Sequence, residues 1–296
     1  MATHQQNTSK IEREGKIEYS NQVSQSKTLK IFHQNIRGLG NKTNELYCHL
    51  HFDFPHILCL SEHHLSEYEL KMINLPNYFL GANYCRKTFL KGRVSIFIYR
   101  KLKYNIINIE EFNIDKDIEA CAIQLDSTFY KLCILTIYRS PSGNFTNFLR
   151  HLDLILQKLY KHKYKIVICG DINVNYLLND NRRSQLDAVL QSYNLMGIVE
   201  FPTRFGTNSQ TAVDNIFIDT STFREYKLYP LINGLSDHDA QYLITDNEEM
   251  KVEDNHTYFK RKINKYNIAD FQLKLSHETW EQVFNGTDVN EIFSSF

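Results

Sequence analysis

Hydrophobic and polar positions alternate along Thr28-Leu29-Lys30-Ile31-Phe32-His33-Gln34-Asn35, the period of a strand with one buried face, and the run exits on Asn35. Short apolar runs bounded by polar residues recur at 56–62, 132–139, 165–169 and 212–218 and predict further strands. Residues 118–126 and 129–138 read as two strands of a hairpin. Two stretches carry a helical period instead. Phe145, Phe148, Leu149, Leu152, Ile155, Leu156 and Leu159 form one apolar stripe, and Leu186, Val189, Leu190 and Tyr193 form another. Residues 1–27 are rich in Gln, Ser, Asn and Thr without apolar periodicity, so they are expected to be disordered. Strands recurring around two amphipathic helices, with no internal repeat, predict a layered α/β (α+β) domain over residues 28–250. From 251 to 296 the pattern loosens to polar sequence with spaced apolar residues, including the single Trp280.

Composition narrows this picture without redirecting it. A chain of 296 residues, 42% hydrophobic and with five prolines, can bury one large core without needing two full domains. The six cysteines lack CxxC spacing, and Cys59, Cys121, Cys133 and Cys169 fall in apolar strand patterns. Buried free thiols of an intracellular protein are therefore expected, rather than a zinc site or a disulfide framework. There is no apolar run of about 18 residues and no signal-peptide core, so no membrane association is expected.

The chemistry lies at the predicted strand ends. Gly170-Asp171-Ile172-Asn173 follows the apolar run 165–169, and Ser236-Asp237-His238-Asp239 stands far downstream. Either alone reads equally well as an Asx-turn or a satisfied surface pair. Other strands add Asn35, Glu62, the Tyr138-Arg139 pair and Asp214, each at or near an end. Several carboxylates, amides, a phenol and an imidazole delivered to one edge suit metal-assisted attack of water on a phosphodiester.

Gln-Asn-Ile-Arg-Gly-Leu (34–39), Leu-Ser-Glu-His-His-Leu (60–65), Tyr-Arg-Ser-Pro (138–141), Gly-Asp-Ile-Asn-Val-Asn (170–175), Thr203-Arg204, Asp-Asn-Ile-Phe-Ile (214–218) and Ser-Asp-His-Asp (236–239) occur in this order. Together they resemble the endonuclease/exonuclease/phosphatase superfamily, and most closely the apurinic-type endonuclease domain of LINE-type, non-LTR retrotransposon polyproteins. The likeness covers about residues 28 to 246. It implies a four-layer αββα sandwich of two mixed β-sheets flanked by helices, and a divalent-metal-dependent DNA endonuclease leaving 3′-hydroxyl nicks. By the same resemblance Glu62, Asn35 and Asp237 hold Mg2+, or Mn2+ in its place. Asp171 serves the attacking water, Asn173 holds the water or the phosphate, and Tyr138 bonds a phosphate oxygen. His238, oriented by Asp214, contacts the scissile phosphate, as a donor if protonated or as a competing general base if neutral. Thr203, Arg204, Ser236 and Arg139 stand on the substrate side. Residues 251–296 resemble the connector before a reverse transcriptase, and nuclear access is expected if the target is chromosomal DNA. A phosphatase or phosphodiesterase on a small or lipid substrate, or a non-catalytic interaction module, are the alternatives.

Two features sit less easily with this. Family members often carry several glycines where this chain reads Lys91-Gly92-Arg93-Val94, so Arg93 is expected to alter that turn. A net charge of zero does not itself suggest a DNA partner. Basic residues do concentrate at Arg86, Lys87, Lys91, Arg93, Arg100, Lys101 and Lys103, as either a lysine-guarded edge hairpin or a phosphate-tracking surface.

Overall fold

The computed structural model describes residues 28–50, 53–89, 91–126, 131–161, 165–207, 209–223, 225–246, 265–284 and 288; the disorder expected over 1–27 lies outside the described residues. The chain divides into two compact units, Met1–Lys251 and Val252–Phe296.

In the first unit the elements run β1 (Thr28–Asn35), α1 (Thr43–Leu50), β2 (Ile57–Ser61), α2 (Glu67–Met72), β3 (Tyr78–Tyr84), β4 (Val94–Tyr99), β5 (Asn105–Ile107), β6 (Glu119–Asp126), β7 (Lys131–Tyr138) and α3 (Phe145–Tyr160). They continue β8 (Lys165–Asp171), α4 (Asn181–Gln191), β9 (Met196–Gly197), β10 (Arg204–Gly206), β11 (Ser209–Thr211), β12 (Asp214–Ile218), β13 (Glu225–Leu231) and β14 (Ala240–Asp246). One six-stranded sheet has the order β13-β14-β1-β2-β4-β3, the other β5-β6-β7-β8-β12-β9. The β1–β2 and β7–β8 pairs are parallel and their neighbours antiparallel, so both sheets are mixed.

Side-chain alternation builds the layers. Ile31, Cys59, Ile96 and Leu243 of the first sheet meet Ile123, Ile134, Val167 and Ile216 of the second in the central core. The other face of the first sheet buries Phe32, Leu58 and Phe97 against Leu46 and Leu50 of α1 and Leu70 of α2. The outer face of the second sheet buries Leu135, Ile168 and Phe217 under Phe148, Leu152 and Leu156 of α3 and Leu186 and Leu190 of α4. This is the expected αββα sandwich.

Local chemistry starts the helices. The Asn144 side chain accepts the Asn147 N–H at 3.0 Å at the head of α3, and Ser66 and Glu69 form a reciprocal capping box on α2. The predicted hairpin is β6–β7, its strands antiparallel from Glu119 opposite Tyr138 to Asp126 opposite Lys131. All six cysteines are free, and Cys59, Cys121, Cys133 and Cys169 are buried. No helix among the described residues is long and apolar enough to cross a membrane.

The basic stretch is not one surface. Arg86 is buried on Glu119, its Nη2 2.5 Å from the carboxylate, and Arg93 is buried with Nη1 donating to the His64 carbonyl at 2.6 Å. Lys87 pairs with Glu110, and the Arg100 guanidinium lies 5.2 Å from the Phe79 ring centre. Both readings treated all seven as surface residues, whereas Arg86 and Arg93 face inward because a buried acid and open carbonyls await them.

The second unit, described by itself, holds α5 (Lys265–His277) and α6 (Glu281–Phe284).

Candidate active site

Strand register assembles the site. In the second sheet Tyr138, Asp171 and Asp214 lie side by side at the ends of β7, β8 and β12. In the first sheet Asn35 ends β1 beside Ser61 of β2, and Glu62 follows directly. The loop entering β14 carries Asp237 and His238. Gly170 permits the Asp171 placement: a Cβ there would lie 2.1 Å from the Ile137 carbonyl oxygen, so only glycine lets β7 and β8 approach so closely.

Asn35 joins the two sheets. Its amide nitrogen donates to Asp171 Oδ2 at 2.7 Å and to Glu62 Oε1 at 3.0 Å. Burial alone would raise the Glu62 pKa, but hydrogen bonds from His64, Asn35 and Tyr138 hold it down at about 2, so this carboxylate stays ionised. Asp171 behaves oppositely. Burial, reinforced by the negative charge of Asp214, pushes it up to about 8, against the pull of His238 and the Asn35 bond.

His238 is buried and places Nδ1 2.7 Å from Asp214 Oδ2, which also accepts the Thr203 hydroxyl at 2.8 Å. Burial would lower the imidazole pKa, yet the charge and hydrogen bond of Asp214 raise it to about 9. The ring is thus an imidazolium at neutral pH, which favours a donor over a general base. Desolvation and the nearby carboxylates Glu62 and Asp171 raise the Tyr138 hydroxyl far above its ordinary value, so it remains a hydrogen-bond donor.

Several left-handed residues ring the site: Arg37 at φ 44, Glu62 at 52, His64 at 62, Arg93 at 79 and Asn173 at 50. Such backbone disfavours side chains and persists where surrounding bonds determine it. Around Glu62 they are backbone bonds: Glu62 N–H to the Arg93 carbonyl at 2.8 Å, and Gly38 N–H to the Glu62 carbonyl at 2.7 Å.

Four of the expected contact residues are bonded within the protein. Arg139 is buried, and its guanidinium donates to the carbonyls of Ile172, Asn173, Ser140 and Gly143, so it clamps the loop after β8 rather than facing a substrate. Thr203 is buried on Asp214. The Ser236 hydroxyl donates to the Asn35 carbonyl at 2.6 Å and accepts the His238 N–H at 3.1 Å, fastening the loop that carries His238. Asn173 donates its amide to the Arg139 carbonyl and its backbone N–H to Asp171 Oδ1, holding Asp171 in place. Arg204 keeps a partly exposed guanidinium, paired with Asp237.

Residue-type reasoning overlooked two acid partners inside its own motifs. His64 stands 3.1 Å from Glu62 Oε2, and Arg37 stands 2.7 Å from Asp237 Oδ1. Behind Tyr138 the Arg86–Glu119 pair also went unread, with the guanidinium 5.8 Å from the ring centre.

The donor chemistry suits a hard divalent cation. Glu62 and Asp237 are acids held below their ordinary pKa; Asp237 is paired with Arg37 and Arg204, and Glu62 lies beside His64. Asp171, Asp214 and His238 also bring ligand atoms within 4.8 Å of one another, and Asp214 Oδ1 is buried without a hydrogen-bond partner.

A family model described as endonuclease-reverse transcriptase matches residues 132–242. No curated protein matches the sequence. Among solved structures, the endonuclease domain of TRAS1, a telomere-specific non-LTR retrotransposon, is similar over 74% of this chain and 99% of its own, with 15% identity and a TM-score of 0.61. The AP endonuclease LMAP from Leishmania major is similar over 74% and 88%, with 12% identity and a TM-score of 0.60. D. rerio TDP2, complexed with a single-strand DNA product, is similar over 74% and 99%, with 15% identity and a TM-score of 0.57. The fold is that of the endonuclease/exonuclease/phosphatase superfamily. Across the αββα sandwich, the edge gathering Asn35, Glu62, Tyr138, Asp171, Asp214 and His238 is the candidate active site.

Proposed function

We propose that the chain is a divalent-metal-dependent DNA endonuclease that hydrolyses a phosphodiester and leaves a 3′-hydroxyl nick. The observation that carries this reading is the convergence of strand ends from both sheets, where the Asn35 amide bonds both Glu62 and Asp171 and the buried Asp214–His238 pair stands beside Asp171. Glu62, Asn35 and Asp237 would hold Mg2+ or Mn2+, whose Lewis acidity neutralises charge on a phosphate. Asp171 Oδ, once ionised, accepts a proton from the attacking water, while Asn35 and the Asn173 N–H keep it aimed. His238 Nε2–H and the Tyr138 hydroxyl donate to the phosphoryl oxygens as negative charge builds. Asp214 and Thr203 hold the imidazole in that orientation. A cut that leaves the 3′ oxygen as a hydroxyl suits priming of reverse transcription, and implies access to nuclear DNA.

Supercoiled plasmid incubated with Mg2+ should be nicked, and the nick should be extended by a DNA polymerase without end processing. EDTA should abolish nicking. Intact plasmid with Mg2+ would reject the proposal, and phosphate release from small phosphomonoesters would redirect it to a phosphatase.

The segment 251–296 is proposed to be a connector dispensable for cutting. A chain ending at Asn247 is expected to nick like the full chain and to melt within a few degrees of it; insoluble or inactive protein would show that the tail belongs to the nuclease. The clamp formed by Arg139 leads to a different expectation. Arg139→Leu should lose on the order of 3 kcal/mol of stability, since several charge-assisted bonds to carbonyls vanish together. DNA affinity of the folded protein, read by fluorescence anisotropy, should change little; a large affinity loss without a lower melting temperature would return Arg139 to the substrate.

A further inference from the structure

Both oxygens of Asp237 are held by arginines. Arg37 Nη1 lies 2.7 Å from Oδ1, and Arg204 Nε lies 3.1 Å from Oδ2. The two backbones are pinned. Arg37 is left-handed, with its N–H on Asn35 Oδ1 at 3.1 Å, and Gly38 behind it donates to the Glu62 carbonyl. Arg204 bridges His238 and opens the short β10–β11 hairpin. Their side chains, by contrast, are 47% and 39% exposed. The guanidiniums, unlike the backbones behind them, stand partly in solvent.

Two positive charges on one carboxylate leave one in excess, at the rim of a cleft proposed to take a phosphate. Ion pairs this exposed contribute little net stability, so exchanging their partners costs little. Arg37 also lies within the field of Glu62, the other acid proposed to hold a cation. A cation arriving alone would meet the repulsion of two guanidiniums, and a phosphate arriving alone would meet that of Asp237.

We propose that Arg37 and Arg204 are tethered counter-ions of Asp237 that exchange partners, the carboxylate passing to a divalent cation while the guanidiniums pass to a substrate phosphate. The proposal rests on the reading of the site as a metal-dependent DNA nuclease. Each ligand breaks the same ion pairs, so binding of one eases binding of the other, and this coupling is reciprocal.

The test needs no turnover. Mn2+ binding to the full chain without nucleic acid is followed by the electron paramagnetic resonance signal of the free ion. Arg37→Gln and Arg204→Gln should each bind Mn2+ about three- to fivefold tighter than the parent. In the reverse arm, anisotropy of a labelled duplex oligonucleotide in EDTA should show Asp237→Asn binding about threefold tighter. That gain should vanish when both arginines are also replaced. Unchanged or weaker Mn2+ affinity in both arginine variants would overturn the exchange alone, as would a gain in duplex affinity that survives arginine replacement. Failure of the parent to bind Mn2+ or the duplex would overturn the nuclease reading and the exchange with it.

Discussion

Replacing Asp171 with alanine should reduce plasmid nicking about 10³-fold, and Glu62→Ala should act on the same scale, while both purified variants keep the parental fold. Asp171 sits between the two sheets with Asn35 on one oxygen and the Asn173 N–H on the other, and no other acid on the edge is held in that way. Asp214 is its neighbour in register, but that carboxylate already serves His238 and Thr203. Glu62 is held ionised by three hydrogen bonds, and its loss leaves His64, Asn35 and Tyr138 facing one another without the charge that ordered them. The fold should survive, because neither side chain belongs to the apolar clusters. The measurement is nicking rate beside a circular dichroism melt. A folded variant within about threefold of the parent rate would remove that residue from the chemistry.

Asp214→Asn should return the His238 pKa from about 9 toward its ordinary value of 6.5 and slow nicking about a hundredfold. Stability should register the same change. A histidine whose pKa rises on folding lends stability that is complete below 6.5 and is lost as pH climbs through about 9. Asp171, raised from 3.8 to about 8, adds a loss of the same sign, because the folded state keeps a proton that the unfolded chain has released. Melting temperature in EDTA should therefore fall between neutral pH and about 9, and Asp214→Asn should flatten that limb by relaxing both shifts. Histidine NMR titration is the direct reading, and an unmoved His238 in the variant would dissolve the pairing.

Strand and helix periods were enough to read a layered α/β domain, and the family resemblance carried by the ordered motifs supplied the αββα sandwich. Asn35, Glu62, Tyr138, Asp171, Asp214 and His238 do converge. What could not be read was the use of hydroxyls and guanidiniums nearby. Ser236, Thr203 and Arg139 carry the donors a phosphate would want, but a buried carbonyl or carboxylate wants the same donors, and only tertiary placement tells the two apart. Arg86 and Arg93 looked like surface charge for a related reason: Glu119, which draws in Arg86 and accepts the Arg93 N–H, lies on a strand separated from them in sequence. His64 beside Glu62 and Arg37 on Asp237 escaped notice because left-handed turns at Arg37 and His64 direct those side chains, and no periodicity announces such a turn.

The first strand lies between the second and the last, β1 pairing with β2 on one side and with β14 on the other. During synthesis, then, β1 waits with one edge open until more than two hundred further residues have been made, and His238 emerges only just before the strand that closes that edge. Asn35, Glu62, Tyr138, Asp171 and Asp214 are all made before the loop that carries Asp237 and His238. The candidate site is therefore complete only once β14 has closed the open edge of β1, and the last strand to pair is also the one that brings in the imidazole.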